Sequence, residues 1–366
     1  MSIDQWLNPS IRSMTPYEPG RPIEEVAREF GLDPADVCKL ASNENPLGTS
    51  PGALEAARAA LPDMYRYPDG GAYYLRQKLA GRLDVDPAQL VFGSGSNEIL
   101  EFIGHCYMAP GRSIVASRHA FVVYKLIAHI FETRCIEVDT DGLAHNADAM
   151  IEAIEPDSSV IFVCNPNNPT GTLLTSEDID RFMDRVPDHV LVVFDEAYAE
   201  ICLGEMPDTL KYVREGRNCV VLRTFSKAYG LAGLRIGYGV GPKPIVDALQ
   251  KARQPFNVNR LAQEAAMGAL DDDAFIERTR KAMLEGRQII ERGCEELGLV
   301  FERSYANFML IRVGDGAATT RELMKRGVIV RPMAGYGLPE YIRVSYGVEE
   351  ENRRLVRALD EVMAGK

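Results

Sequence analysis

Residues 219–230 read CVVLRTFSKAYG. The first half is branched and apolar, the composition of a strand covered on both faces of a sheet. The second half turns polar at Thr224 and reaches a single lysine, Lys227, three residues before a glycine. Ligands of open parallel sheets sit at the carboxyl ends of the strands. If the rest of the chain builds such a sheet, Lys227 stands on its working edge.

Working outward, the same pattern repeats. "LVFG" from Leu90, "SIVAS", a strand around "TRCIEV", "SVIFVC" at 159–164, "VLVVFDE" at 190–196 and "RIGYGV" at 235–240 are short apolar runs. Helical stretches separate most of them: "NEILEFIGHCYM", "FVVYKLIAHI", 147–154 and a segment after Thr175. This alternation predicts an α/β fold with a mostly parallel sheet flanked by helices, its core strands between residues 90 and 240. Residues 1–45, interrupted by Pro9, Pro16, Pro19 and Pro22, read as irregular or briefly helical. "NENPLGTSP" (43–51) reads as a loop leading into a helix over 52–61.

From residue 271 the pattern changes. "DDDAFIERTRKAMLEGRQIIERGCEELG" predicts a long amphipathic helix whose acidic start suits the helix dipole. The strand "NFMLIRV", the helix "ATTRELMKRG", the strand "YIRVSYG" and a closing helix follow. The expected organisation is an N-terminal segment (1–45) contributing to a small domain and the site edge, a large domain (46–270) and a smaller α+β C-terminal domain (271–366).

Bulk properties narrow the function. Asp and Glu outnumber Lys and Arg by 53 to 41 in 366 residues, a net charge of -12. That balance argues against nucleic acid or an anionic membrane as a general partner. No apolar run is long enough to span a bilayer, and the N-terminus lacks a signal-like segment. The seven cysteines are scattered without a CxxC pair, fitting buried thiols in a reducing compartment. A cytoplasmic protein is expected. The five histidines show no metal-ligand spacing, so no metal site is expected.

Four places fall on the presumptive rim: "NPNNPTG" at 165–171, Asp195 with Tyr198, the group Thr224, Ser226 and Lys227, and Arg235. Singly each has an ordinary structural reading, as a turn, a helix cap or a core-boundary phenol. Together they place an acid, a phenol, amides, a lysine and an arginine on one edge. That set suits a phosphorylated aromatic aldehyde cofactor. A lysine binds the aldehyde covalently, a buried carboxylate keeps a pyridine nitrogen protonated, and a phenol with an amide faces a phenolate oxygen. "FGSGSNEIL", with Gly93, Gly95, Ser96 and Asn97, offers a helix N-terminus for the phosphate. It matches neither GxGxxG nor GxxxxGK[ST].

In this order and at these intervals, "NENPLGTSP", "RYPDG" (66–70), "NPNNPTG", "DEAY" (195–198), "SKAYGLAGLRIGY" (226–238) and "RPMAGYGLP" (331–339) resemble the histidinol-phosphate aminotransferase family of fold-type I pyridoxal-phosphate enzymes over nearly the whole chain. The resemblance implies pyridoxal 5'-phosphate held by Lys227, with Asp195 on its pyridine nitrogen and Tyr198 and Asn168 on its phenolate oxygen. Gly95, Ser96, Asn97, Thr224, Ser226 and Arg235 would surround the phosphate. Tyr67 would reach that phosphate from the other subunit of a homodimer. Phe121 matches the stacking position, where many relatives carry a tyrosine in a Pro-Thr motif; here His119 and Ala120 precede it.

Arg343 matches the arginine for a substrate α-carboxylate, and Arg331 a position facing the substrate phosphate. Tyr17, Asn43 and Glu44 are candidates for the pocket wall. The implied reaction is transamination of L-histidinol phosphate with 2-oxoglutarate. An aromatic amino-acid aminotransferase would use much the same cofactor residues, and a phosphothreonine-type decarboxylase or an inactive dimerisation module would share the fold.

Overall fold

The central strands form where the sequence is apolar without interruption. In a computed structural model that describes residues 3–16 and 19–365, a short β1 (Cys38–Lys39) precedes seven strands. These are β2 (Leu90–Gly93), β3 (Ser113–Ser117), β4 (Arg134–Val138), β5 (Ser158–Cys164), β6 (Leu191–Asp195), β7 (Cys219–Thr224) and β8 (Gly237–Val240). Every residue of β2, β3, β6 and β8 is buried. Val192, Val193 and Phe194 have no exposed surface at all. Each side chain of this kind contributes about 1.5–3 kcal/mol on burial, so alternation gives way to solid hydrophobicity.

The sheet order is β2–β8–β7–β6–β5–β3–β4. β4, β3, β5, β6 and β7 run parallel, whereas β8 is antiparallel to both β7 and β2. The α/β architecture with a mostly parallel sheet flanked by helices is therefore as expected, with one reversed strand. That reversal matters, because the start of β8 lies at the edge where β7 ends. Thr224 and Gly93 both face Gly237 in register.

The predicted strand at 235–240 begins two residues late because Arg235 takes a left-handed φ of 57°, which a strand does not accommodate. Helices occupy the predicted stretches, among them Ser96–Tyr107, Val123–Ile130 and Ser176–Arg185. Four further helices, Tyr73–Leu83, Leu210–Arg214, Lys243–Ala252 and Arg260–Ala269, lie outside the predicted stretches.

The long helix spans Asp273–Glu296. Asp272 caps it by accepting the Phe275 N–H (3.1 Å). Its buried face includes Phe275, Thr279, Met283, Ile290 and Cys294, spaced mostly three, four or seven apart as one helical stripe. Beyond it, β9 (Val300–Phe301), β10 (Phe308–Arg312), β12 (Arg331–Pro332) and β13 (Tyr341–Ser345) form an antiparallel sheet in the order β12–β13–β10–β9. β11 (Val328–Ile329) instead pairs in parallel with β1. The N-terminal segment is thus stitched to the C-terminal part of the chain. None of these two-residue strands is long enough to show alternation.

Candidate active site

A cavity of about 610 Å³ opens at the carboxyl edge of the large sheet. Its floor comes from strand ends in register: Cys164 beside Asp195, and Asp195 beside Leu222, two residues before Thr224. Lys227 follows on the next turn. Its Nζ donates to the Ser42 carbonyl (3.2 Å). Burial, then the positive charge of Arg343, lowers its pKa to about 8. About a tenth of such an amine is neutral and nucleophilic at pH 7, far more than of an ordinary lysine.

Asp195 ends β6, buried to 3% exposure. Its Oδ2 accepts from the Tyr124 hydroxyl (2.8 Å). Its Oδ1 is buried and accepts no hydrogen bond among the described residues. Burial raises the Asp195 pKa to about 6, opposed by the Tyr124 hydrogen bond and then by the nearby Ala197 backbone N–H. A buried carboxylate with one unanswered oxygen is poised for a cationic N–H. Tyr198 lies three residues on; its hydroxyl accepts from Asn43 Nδ2 (3.1 Å), and burial drives its pKa up. Asn168 Oδ1 accepts from Arg343 Nη1 (2.6 Å).

A polar cradle lines one end. Gly95 (φ 77°) stands before the helix Ser96–Tyr107, and Ser96 and Asn97 begin that helix. A Cβ at Gly95 would lie 3.1 Å from Arg235 Cζ and closer still to its Nη2. Only glycine lets the guanidinium approach this backbone. Thr224 Oγ1 donates to Ser226 Oγ (2.9 Å), and both hydroxyls line the cavity. Free N–H groups at a helix start, two hydroxyls and a guanidinium make a phosphate-sized anion site.

The opposite wall comes from the antiparallel sheet. Arg331 and Arg343 are cross-strand partners in the β12–β13 register, and both line the cavity. Arg343 is buried, donates through Nη2 to the Ala41 carbonyl (2.9 Å) and lies over the Phe308 ring at 5.2 Å. Asn43, at φ 53°, is fixed by Ser345, whose Oγ accepts its N–H (2.8 Å) and donates to its Oδ1 (3.0 Å). Phe121 lines the cavity and meets Tyr124 edge-to-face at 5.7 Å.

The class I and II aminotransferase family model matches residues 35–359. The chain is 48% identical over 364 residues to histidinol-phosphate aminotransferase of Akkermansia muciniphila, covering 99% of this chain and 100% of that one. It is 50% identical over 357 residues to histidinol-phosphate aminotransferase 1 of Thiobacillus denitrificans, covering 97% and 93%. The chain belongs to the histidinol-phosphate aminotransferase family. A crystal structure of the Sinorhizobium meliloti histidinol-phosphate aminotransferase in complex with pyridoxal-5'-phosphate superposes with a TM-score of 0.88 at 27% identity, covering 98% of each chain.

The donor set of this aminotransferase fits pyridoxal phosphate. The unanswered Asp195 Oδ1 matches a protonated ring nitrogen, the Gly95–Arg235 cradle a phosphate, and the Lys227 amine an aldehyde. Family membership and this fit make the chain a pyridoxal-phosphate-dependent aminotransferase.

Several predicted residues stand apart from the cavity. Tyr67 is 81% exposed, stacks on Phe256 at 4.8 Å and does not line its own chain's cavity. Glu44 is exposed and reaches Lys39 Nζ at 3.4 Å. Tyr17 lies outside the described residues. His119 Nδ1 contacts the Tyr336 carbonyl (2.8 Å), bridging the loop after β3 to the turn after β12. Sequence reading missed Tyr124, Ser42 and Tyr336. For Tyr124 a signal existed, since it follows Phe121 by one helical turn in "RHAFVVY".

Proposed function

We propose that this aminotransferase moves the amino group of L-histidinol phosphate to 2-oxoglutarate, giving 3-(imidazol-4-yl)-2-oxopropyl phosphate and L-glutamate. The observation that carries this reading is the cross-strand pair Arg331–Arg343 opposite Lys227. One arginine is buried and hydrogen-bonded to Asn168, the other half-exposed at the cavity wall. Two neighbouring guanidinium groups suit a pocket that must take a phosphate in one half-reaction and a carboxylate in the other. The curated names of the relatives from Akkermansia muciniphila and Thiobacillus denitrificans support the same substrate.

The bound cofactor supplies the electron sink that makes the donor's α-proton acidic. Lys227 would anchor it, and its amine, when free and neutral, would take the proton from the substrate α-carbon and deliver it to the cofactor carbon that had carried the aldehyde. Asp195 holds the positive ring nitrogen in a dry site, where a charge pair is strongest. Tyr198 and Asn168 face the phenolate oxygen, and Gly95, Ser96, Asn97, Thr224, Ser226 and Arg235 hold the phosphate. Arg343 orients a carboxylate, and Arg331 the substrate phosphate.

The proposal includes a homodimer in which Tyr67 completes the partner's phosphate site. Support comes from the exposed apolar band around it: Leu61, Met64, Tyr65, Tyr73 and Tyr74.

Rapid mixing of the cofactor-loaded protein with L-histidinol phosphate, beside L-phenylalanine, tests the substrate. Fast loss of the lysine-bound cofactor's absorbance with histidinol phosphate alone is expected. Equal or faster conversion by phenylalanine would move the activity to aromatic amino acids. Arg331→Ala should weaken histidinol phosphate about tenfold more than an unphosphorylated amino acid, the size of one charged hydrogen bond. Equal losses would remove Arg331 from that role.

A further inference from the structure

Lys227 is gripped at its backbone as well as at its tip. Residues 42–50 meet residues 227–230 in a series of contacts. Ser42 O accepts from Lys227 Nζ (3.2 Å), and Asn45 Nδ2 reaches both the Lys227 carbonyl (3.2 Å) and the Ala228 carbonyl (2.9 Å). Thr49 Oγ1 donates to Gly230 O (3.0 Å), and the Ser50 N–H to Tyr229 O (3.4 Å). A Cβ at Gly230 would stand 1.9 Å from Gly48 O. The two segments therefore touch backbone to backbone, and residue 230 must be glycine.

Asn45 sits at the middle of this series. Its Oδ1 accepts the Leu47 N–H (2.9 Å), which fixes the amide so that its NH2 group points at the two carbonyls. The same nitrogen is 3.2 Å from Thr279 Oγ1 on the long helix Asp273–Glu296. Thr279 is fully buried. Asn45 does not line the cavity, so it does not touch the reacting groups.

We infer that Asn45 is a positioning residue for Lys227, and that Thr279 extends its hold into the long helix. The lysine amine swings on four methylenes from a backbone that this amide pins. A shift of the long helix passes through Thr279 and Asn45 to the Lys227 carbonyl. The inference rests on Lys227 carrying the cofactor and not on which donor is used.

The test compares the holoenzyme with Asn45→Ala, Thr279→Val and Thr279→Ser. One readout is the pH midpoint of the lysine-bound cofactor's absorbance; the other is kcat against KM. The charged groups that act at the Lys227 nitrogen are Arg343, Glu44 and Arg235, and moving that nitrogen among them changes the proton affinity of its linkage to the cofactor. For Asn45→Ala the midpoint shifts by about half a pH unit or more. Its kcat falls about 10- to 100-fold while donor and acceptor KM stay within about twofold, the cost of misplacing a group by a fraction of an ångström to one.

Thr279→Val moves both readouts the same way by less, and Thr279→Ser restores them. A lowered melting temperature with the midpoint and kcat of wild type would reduce Asn45 to a structural residue and overturn the inference. Wild-type readouts in Thr279→Val would overturn the extension to the long helix. If Asn45→Ala does not fold, Thr279→Val with its serine rescue decides the matter alone. A wild type without the lysine-bound band would fail the cofactor assignment itself. A preference for phenylalanine would fail only the proposed donor.

Discussion

Asp195, the last residue of β6, and Glu196, the first beyond it, are consecutive carboxylates, both buried. Glu196 is fully answered. Arg223 donates to its Oε2 from Nε (2.9 Å) and Nη2 (2.8 Å), and the Thr209 hydroxyl donates to Oε1. Asp195 is answered on one oxygen only. A buried acid with a complete shell holds the fold together, whereas one left incomplete is held ready for a ligand. Adjacent residues of one chemical type thus divide structure and chemistry between them by the partners each one meets.

That division can be broken experimentally. Asp195→Asn keeps the shape and removes the charge. We expect kcat to fall about 10³-fold, about 4 kcal/mol of lost transition-state stabilisation, with the cofactor-free protein no less stable. Steady-state kinetics and thermal denaturation together check this; activity loss accompanied by instability would merge the two acids into one class. Glu196→Ala should do the reverse. Leaving the largely buried Arg223 without its partner costs about 3 kcal/mol of stability, read by denaturant unfolding, while kcat per folded molecule stays within about twofold.

A subtler change sharpens the contrast at Asp195 itself. The hydrogen bond from Tyr124 favours the ionised carboxylate, so Tyr124→Phe should raise the Asp195 pKa further. A charged hydrogen bond is worth about 1.5–3 kcal/mol, and the expected cost is about a tenfold loss of kcat. The acid limb of the pH–rate profile should move to higher pH. An unmoved limb would mean that Asp195 does not control it.

A further effect, read without any turnover, concerns stability against pH. In the cofactor-free protein the Asp195 pKa is raised to about 6 from its ordinary value of 3.8, so the folded state binds the proton more tightly than the unfolded chain. Its contribution to stability is full below about pH 4 and lost as pH rises through about 6, on the order of 2–3 kcal/mol. Melting temperatures of wild type and Asp195→Asn should diverge with rising pH across this window, the variant gaining. Parallel curves would place the titration elsewhere.

Much of this was legible in the chain. Lys227, Asp195, Tyr198 and the 165–171 turn announced themselves because each follows a solid apolar run, and the sheet carries the ends of such runs to one edge. Arg235 was legible as a neighbour of a strand, but the direction of that strand was not, since a periodicity of two is the same read forwards or backwards. Tyr124 carried a signal in its spacing from Phe121, but one that its core position in the helix Val123–Ile130 masks, since a buried aromatic there needs no explanation. The Arg331–Arg343 pairing depends on antiparallel register between strands of two and five residues, too short to display a pattern. Asn45 meets Lys227 across 182 residues of sequence, a contact that no local signal reports.

The reversal of β8 gives the segment between β7 and β8 the character of a caliper. Both of its jaws are clamped in the sheet, by Thr224 opposite Gly237 and by the Phe225 N–H on the Ile236 carbonyl (3.2 Å). A further bond, from the Leu231 N–H to the Phe225 carbonyl (3.0 Å), closes it part-way along. Lys227 and Arg235 are marks on this one clamped length, so their separation is set by residue count as much as by packing. Side chains along it can vary, but a single inserted residue would reset the gauge between the group that grips the aldehyde and the group that grips the phosphate.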